Sequence, residues 1–316
     1  MNIAHDVEQR CDWIRDQVQA LSKKGAVVQL SGGIDSSVVL HLCARALGPE
    51  NVTALYLPDS ASTGPETRGF VDEAAANAGT QFVERPIGAA IEAQQPIAQI
   101  TDLIRRYAPE YDPAVHAYAV NAVPSLAKRL GTLVYRVSIG ERHGTPEKTL
   151  SMSVDDLRAV IAYQNRKQRT RMAFAYADAE RLNYAVVGAS NGDELDTGFV
   201  VKYGDDAADI CAIGDLSKPR VYAFASELGV PASIIARPPT TDTYALEQTQ
   251  EDYYYALPAD VLRRLTADAD AHGLSDIDFT PYLEACPGWS EPALRQIATG
   301  LLATLRYQRT RSLRPA

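Results

Sequence analysis

The stretch Ser31-Gly32-Gly33-Ile34-Asp35-Ser36-Ser37 constrains this chain more than any other. It follows the short apolar run Ala26 to Leu30 and leads into SSVVLHLCARALG, whose apolar spacing predicts a helix closed by Gly48. Strand, glycine-rich loop and helix in that order make an anion-binding corner, because backbone NH groups and the positive end of the helix point at one spot. The glycines let the backbone approach an anion closely, and the serine hydroxyls add donors. The chain has no GxxxxGK[ST], so this is not the phosphate loop of kinases and motor ATPases.

The surrounding pattern continues the alternation. Val7, Cys11, Trp13, Ile14, Val18 and Leu21 stand at helical spacing within residues 5–24, with Gly25 at the expected helix end. A second strand is expected over Asn51 to Leu57, a helix over 66–78 and a third strand over Gln81 to Glu84. After a less regular stretch, a helix over 154–181 capped by Ser153, a strand over Tyr184 to Val187 and a helix in LSKPRVYAFASELG restore the order. Such alternation implies right-handed crossovers and an α/β fold, a doubly wound parallel sheet flanked by helices. Residues from 86 to about 150 read as an insertion, with helices over 98–108 and 114–130, a strand over Leu133 to Ile139, a turn at His143 to Pro146 and a strand over Lys148 to Met152. One domain is expected over residues 1–258, and a helical C-terminal extension packed on it over 259–316.

Composition removes several classes of function. With 316 residues, 46% of them apolar and 22% charged, the chain is ordinary globular protein. A net charge of −9 argues against a broad nucleic-acid-binding face, which needs clustered lysine and arginine. Cys11, Cys43, Cys211 and Cys286 are scattered without a CxxC pair, so neither a zinc site nor a redox couple is signalled. No apolar run reaches membrane-spanning length and the first residues lack a signal-peptide core, so a cytoplasmic location is expected.

Four stretches, in order, resemble the ammonia-dependent NAD synthetase family of the ATP pyrophosphatase superfamily. SGGIDSS is similar to the superfamily's pyrophosphate loop. Asn165 to Met172 (NRKQRTRM) matches the family pattern NxxxRxRM, and the spacing of four puts Asn165 and Arg169 on one helix face. From Val187 to Lys218 runs the longest match, with TGFVVKYGDDAAD as its most specific part. Pro238-Pro239-Thr240-Thr241-Asp242-Thr243 resembles the PTADL stretch, and Gln248 to Pro258 is loosely similar to an acidic segment that covers the site. Tyr253, Tyr254 and Tyr255 stand there as either a stacking lid or core.

The resemblance implies an adenine-nucleotide alpha-hydrolase-like fold, ATP and Mg2+ as cofactors, and deamido-NAD and ammonia as substrates. It assigns ATP binding to Ser31, Gly32, Gly33, Asp35, Ser36, Ser37, Arg169, Lys218 and Thr240, and the metal to Asp35, Glu194 and Thr240. Substrate would meet Asn165, Arg169, Phe199, Lys202 and Asp205, with Asp35, Lys202, Asp205, Asp209 and Lys218 as the catalytic set. Independently of family, magnesium prefers hard oxygen ligands such as Asp35 and Glu194. The implied reaction makes an acyl-adenylate, releases pyrophosphate and delivers ammonia, taken free or from a separate glutaminase; a homodimer is also implied. The chain departs from the family at Gly188-Ala189, at Tyr56 and at Tyr307-Gln308-Arg309. These departures support a second reading, a ligase amidating another carboxylate metabolite. A third, a non-catalytic nucleotide-binding regulator, is opposed by the intact Asp35, Glu194, Lys218 and Thr240.

Overall fold

The computed structural model describes residues 2–59, 63–64, 66–237, 244–246, 257–310 and 313. Its centre is a five-stranded, all-parallel sheet of β1 (Ala26–Leu30), β2 (Val52–Tyr56), β3 (Gln81–Glu84), β7 (Ala185–Gly188) and β8 (Ile210–Cys211), in the order β3-β2-β1-β7-β8. From β1 the chain winds outward through β2 to β3, then returns to build the other half through β7 and β8. The reversal falls between β1 and β7. In such sheets the crevice at the carboxyl ends of the strands flanking the reversal is where ligands bind.

Both faces of the sheet are covered, which is why the inner strands β1, β2 and β7 are mostly apolar rather than alternating, while the edge strand β3 begins and ends on the polar Gln81 and Glu84. One face packs on α1 (Ile3–Ala20), α2 (Ile34–Leu47), α3 (Thr67–Ala78), α9 (Lys218–Leu228) and α10 (Ala232–Ile235), through residues such as Ile14, Leu40, Val71, Phe224 and Ile234. The other packs on α4 (Gly88–Glu92) and α7 (Val154–Leu182), with Val27, Leu55 and Val186 meeting Ile91, Met172 and Ala175. At 29 residues α7 is about 43 Å long. Its C-terminal half lies on the sheet, while Val160 near its start joins a separate apolar cluster. Ser153 caps it by accepting the Asp156 NH at 3.1 Å.

That second cluster belongs to the inserted segment, which is more sheet than its sequence suggests. The helix expected over 114–130 is instead β4 (His116–Ala122) followed by α6 (Pro124–Leu130). The alanines of HAYAVNA favour helix, but Pro124 cannot sit inside one and takes its first turn, and seven residue pairs with β5 (Tyr135–Glu141) satisfy the β4 backbone. With β6 (Lys148–Leu150) the expected hairpin becomes a three-stranded antiparallel sheet. It shares its apolar cluster with α5 (Pro96–Arg105), Tyr244 and Leu246. The opening helix also stops earlier than expected, at Ala20, and Ser22 rather than Gly25 takes the left-handed turn. Gly25 serves the close approach of chains: a Cβ there would lie 2.1 Å from the Asn51 carbonyl oxygen.

The C-terminal helices α11 (Ala259–His272), α12 (Thr280–Ala285) and α13 (Glu291–Arg309) enclose a further apolar cluster around Leu262, Leu265, Leu294 and Ile297. No described helix is long and apolar enough to cross a membrane.

Candidate active site

Ser31 to Asp35 leave the end of β1, and Ala189 to Glu194 leave the end of β7, so the two most specific stretches of sequence flank the reversal point of the sheet. The first loop is braced from within. The Ser36 hydroxyl donates to Gly33 O at 3.1 Å and accepts the Ser31 NH at 3.3 Å, while the Ser37 hydroxyl donates to Gly33 O at 2.9 Å. Both serines are buried, so these two hydroxyls shape the loop. Gly32 has a φ of 76°, and a Cβ there would lie 3.3 Å from Thr67 O, so the turn takes glycine for conformation and for room. Arg237 donates to Gly32 O at 3.2 Å from the far side.

Asn191 ties the two loops together, a role its sequence context signals only as a helix start. Its side chain accepts the Glu194 NH at 3.1 Å while its own NH donates to Glu194 Oε2 at 3.0 Å, a reciprocal cap for α8 (Gly192–Thr197). The same amide reaches across and donates to Asp35 Oδ1 at 3.2 Å. The Lys218 ammonium, from the first turn of α9, donates to Asp35 Oδ2 at 2.5 Å. Asp35, Glu194 and Lys218 are therefore brought together as the resemblance implies.

The electrostatics of this group are unbalanced. Burial and then the neighbouring Asp35 charge push the Glu194 carboxyl up to about 8, against the pull of Lys218. Burial works against the Lys218 ammonium, but Asp35 outweighs it and the group is held above its usual range. Two carboxylates sharing a site with one lysine suit an additional cation. Among the described residues no third acidic, histidine or cysteine side chain completes a metal cluster, so a hard cation held by Asp35 and Glu194 would take its other ligands from phosphate oxygens and water.

A second group forms along α7 and the loop after α8. Arg169 Nε donates to the Lys202 carbonyl at 3.1 Å, and the Phe199 NH donates to Glu194 O at 2.8 Å. Asp205 accepts the Val201 NH at 2.7 Å; burial pushes its carboxyl up to about 6, although that bond pulls it down. Its charge adds to the upward push on Glu194. Asn165 lies one turn before Arg169 on α7. Asp209 faces the sheet instead, accepting the Val186 NH at 2.8 Å and the Tyr176 hydroxyl at 3.0 Å.

The C-terminal departures also meet this group. Lys202 Nζ donates to Tyr307 O at 2.7 Å and Thr310 O at 2.6 Å, at the carbonyl end of α13, and lies 4.3 Å from the centre of the Tyr307 ring. Gln308 donates to the carbonyls of Gly198 and Val200 at 2.6 and 2.8 Å. Tyr56 ends β2 with its ring stacked 6.5 Å from Phe82. Thr240 with the rest of Pro238 to Thr243, and Tyr253 to Tyr255, lie outside the described residues.

Sequence reasoning missed two further features. Lys167 and Asp59 form a buried ion pair at 3.1 Å, with side chains 6% and 1% exposed. Arg263 of α11 joins Asp193 and Asp196 of α8. The signal for the first was a lysine amid the charge run of α7; the second had none, since Arg263 lies about 70 residues from its partners.

An anion-binding loop beside a carboxylate pair and a lysine, at the reversal point of a doubly wound sheet, defines a nucleotide-handling α/β protein. Residues 6–105 and 114–265 match the family described as NAD synthase. The NH(3)-dependent NAD(+) synthetase of Rhizobium meliloti is 41% identical over 249 residues, which cover 78% of this chain and 73% of that protein. Its counterpart in Mesorhizobium japonicum is 35% identical over 311 residues, covering 98% and 95%. Among solved structures, an NMN synthetase from Francisella tularensis superposes with a TM-score of 0.64 at 21% identity, covering 100% of this chain and 99% of that one. An NH3-dependent NAD synthetase from Campylobacter jejuni gives 0.60 at 20% identity, covering 100% of both. These two share the fold. The chain belongs to the NAD synthase family.

Proposed function

We propose that this chain is an ammonia-dependent NAD synthetase, an AMP-forming carbon–nitrogen ligase that converts deamido-NAD, ATP and ammonia to NAD, AMP and pyrophosphate. The observation that carries the proposal is the Asp35–Asn191–Glu194 bridge with Lys218, set between the two loops at the sheet reversal. The loop between β1 and α2 holds the phosphates through the Gly32 NH and the NH groups that open α2, while the Ser31 and Gly33 NH groups brace the loop from within, and Lys218 neutralises charge on the departing pyrophosphate. Asp35 and Glu194, with Thr240, would hold Mg2+, which supplies further neutralisation of the phosphates when bound. The nicotinate carboxylate attacks the α-phosphorus, the bond to pyrophosphate breaks, and an acyl-adenylate forms. Ammonia then attacks the acyl carbon, the carbon–oxygen bond to AMP breaks, and a proton passes from nitrogen to Asp205. A carboxyl group held near 6 suits that task near neutral pH. Asn165, Arg169, Phe199 and Lys202 contact the dinucleotide in this reading; Asp209 supports the loop through its bonds to β7 and α7. The reading includes a cytoplasmic homodimer supplied with free ammonia or by a separate glutaminase.

A second reading, amidation of a different carboxylate, is favoured by Gln308 and the end of α13, which grip the segment from Gly198 to Lys202. One experiment separates them: pyrophosphate and AMP release with ATP, magnesium and ammonium, with and without deamido-NAD, followed by mass analysis of the product. Strong stimulation with NAD formed is the expected result. Release only with another carboxylate keeps the chemistry and transfers the substrate; failure of every carboxylate in a broad panel to stimulate release overturns the enzyme assignment. Asp35→Ala abolishes pyrophosphate release, and near-normal turnover by it would remove the metal assignment. Light scattering tests the homodimer.

A further inference from the structure

One side chain from the C-terminal helices reaches the floor of the candidate site. The guanidinium of Arg263 donates through Nε to Asp196 Oδ2 at 2.6 Å, through Nη1 to Asp193 Oδ1 at 3.2 Å and through Nη2 to the Asp215 carbonyl at 3.2 Å. Its helix, α11, buries Val261, Leu262, Leu265 and Ala269 in the C-terminal cluster, and Arg263 leaves that core to face α8. The second oxygen of Asp193, Oδ2, accepts the backbone NH of Lys218 at 2.8 Å. The neighbouring Gly192 NH donates to Leu216 O at 2.8 Å, and a Cβ on Gly192 would stand 2.7 Å from Arg263 Nη2. Glycine there leaves the space the guanidinium occupies.

We propose that Arg263 is a positioning residue: by clamping Asp193 and the Asp215 carbonyl it holds Glu194 and Lys218, on two different helices, at the separation that phosphate handling requires. This rests on the function proposed above. A planar fork of five donors binds three acceptors in fixed directions, which a lysine cannot do. The same cation sits between two carboxylates one turn apart on α8; without it their charges repel beside Glu194 and the Asp193 bond to the α9 start loses its support. The effect falls on the groups that handle phosphate, whereas the substrate-facing segment from Phe199 to Asp205 keeps its own bonds to Arg169 and Gln308.

The test is Arg263→Met and Arg263→Lys in the full chain, assayed for pyrophosphate release and, separately, by calorimetric binding of a non-hydrolysable ATP analogue with magnesium. In Arg263→Met, kcat falls roughly tenfold to hundredfold and the analogue binds about tenfold more weakly, while KM for deamido-NAD stays within about twofold, the scale of losing one charge-assisted contact. Arg263→Lys recovers part of kcat. Leu265→Ala, which loosens the same helix without touching these bonds, and Arg264→Met, on its solvent side, serve as stability controls and keep wild-type kcat below their melting temperatures. The proposal is overturned if Arg263→Met retains kcat and analogue affinity within twofold of wild type, or if Leu265→Ala or Arg264→Met loses as much kcat. Absence of NAD formation by the wild type would overturn the function instead, and the binding measurement still decides the role of Arg263.

Discussion

Asp205 is held in a setting that opposes its charge, and replacing it with asparagine converts that cost into a measurable gain in stability. In the folded protein its carboxyl is raised from 3.8 to about 6, chiefly by burial. The native state therefore binds the proton more tightly than the unfolded chain. The stabilisation from protonation is complete below about pH 4 and is lost as pH rises through about 6, so ionised Asp205 weighs against folding at pH 8. Two pH units at about 1.4 kcal/mol each set an upper bound of about 3 kcal/mol. The side chain is only partly buried, and solvent screening lowers this to ~1–2 kcal/mol. For a chain of this length an unfolding entropy of about 0.7 kcal/mol per kelvin turns that into a rise in Tm of roughly 2 °C. Asparagine keeps an oxygen for the Val201 NH. The assay is calorimetric melting of wild type and Asp205→Asn from pH 4.5 to 8, beside turnover. The variant melts higher at pH 8, the gap holds nearly constant down to about pH 6 and narrows from there towards pH 4.5, and turnover falls. A gap of the opposite sign, or one that does not change with pH, would refute the reasoning.

Three other outcomes follow from particular contacts. Lys167→Met removes the buried cation from beside Asp59 and costs about 3–5 kcal/mol in urea unfolding, and adding Asp59→Asn recovers most of the loss. Gly25→Ala drives a methyl group against the Asn51 carbonyl and the Tyr184 ring, lowering stability by about 3 kcal/mol in the same assay; an unchanged midpoint would show that β1 and β2 separate easily there. Ser153→Ala removes the acceptor for the Asp156 NH at the start of α7 and costs ~1 kcal/mol, read as a lower Tm with unchanged pyrophosphate release.

The sheet and the loop at its centre were legible because their signals are local. Apolar runs of strand length, a helix ended by Gly48 and another ended by Gly229 need only neighbours in sequence to form, and each stands within a residue or two of its expected place. The inserted segment was less legible for the converse reason. HAYAVNA carries helix-favouring alanines, and only a partner strand, Tyr135 to Glu141, makes its extended form the better one.

The sequence alone determined which groups are available for chemistry: a glycine-rich anion loop, carboxylates at Asp35 and Glu194, and Lys218 at a helix start. Tertiary structure decided how they are held. Asn191 meets Asp35 across 156 positions, Lys218 meets it across 183, and Arg263 and Gln308 reach the same region from the far end of the chain. Contacts of that separation leave no periodicity in sequence, since each depends on two elements arriving at one place after the sheet has reversed direction. The same distinction separates Asp205 from Asp209. Four residues apart in one motif, they differ because the fold buries the first beside the Val201 backbone and turns the second to β7 and Tyr176.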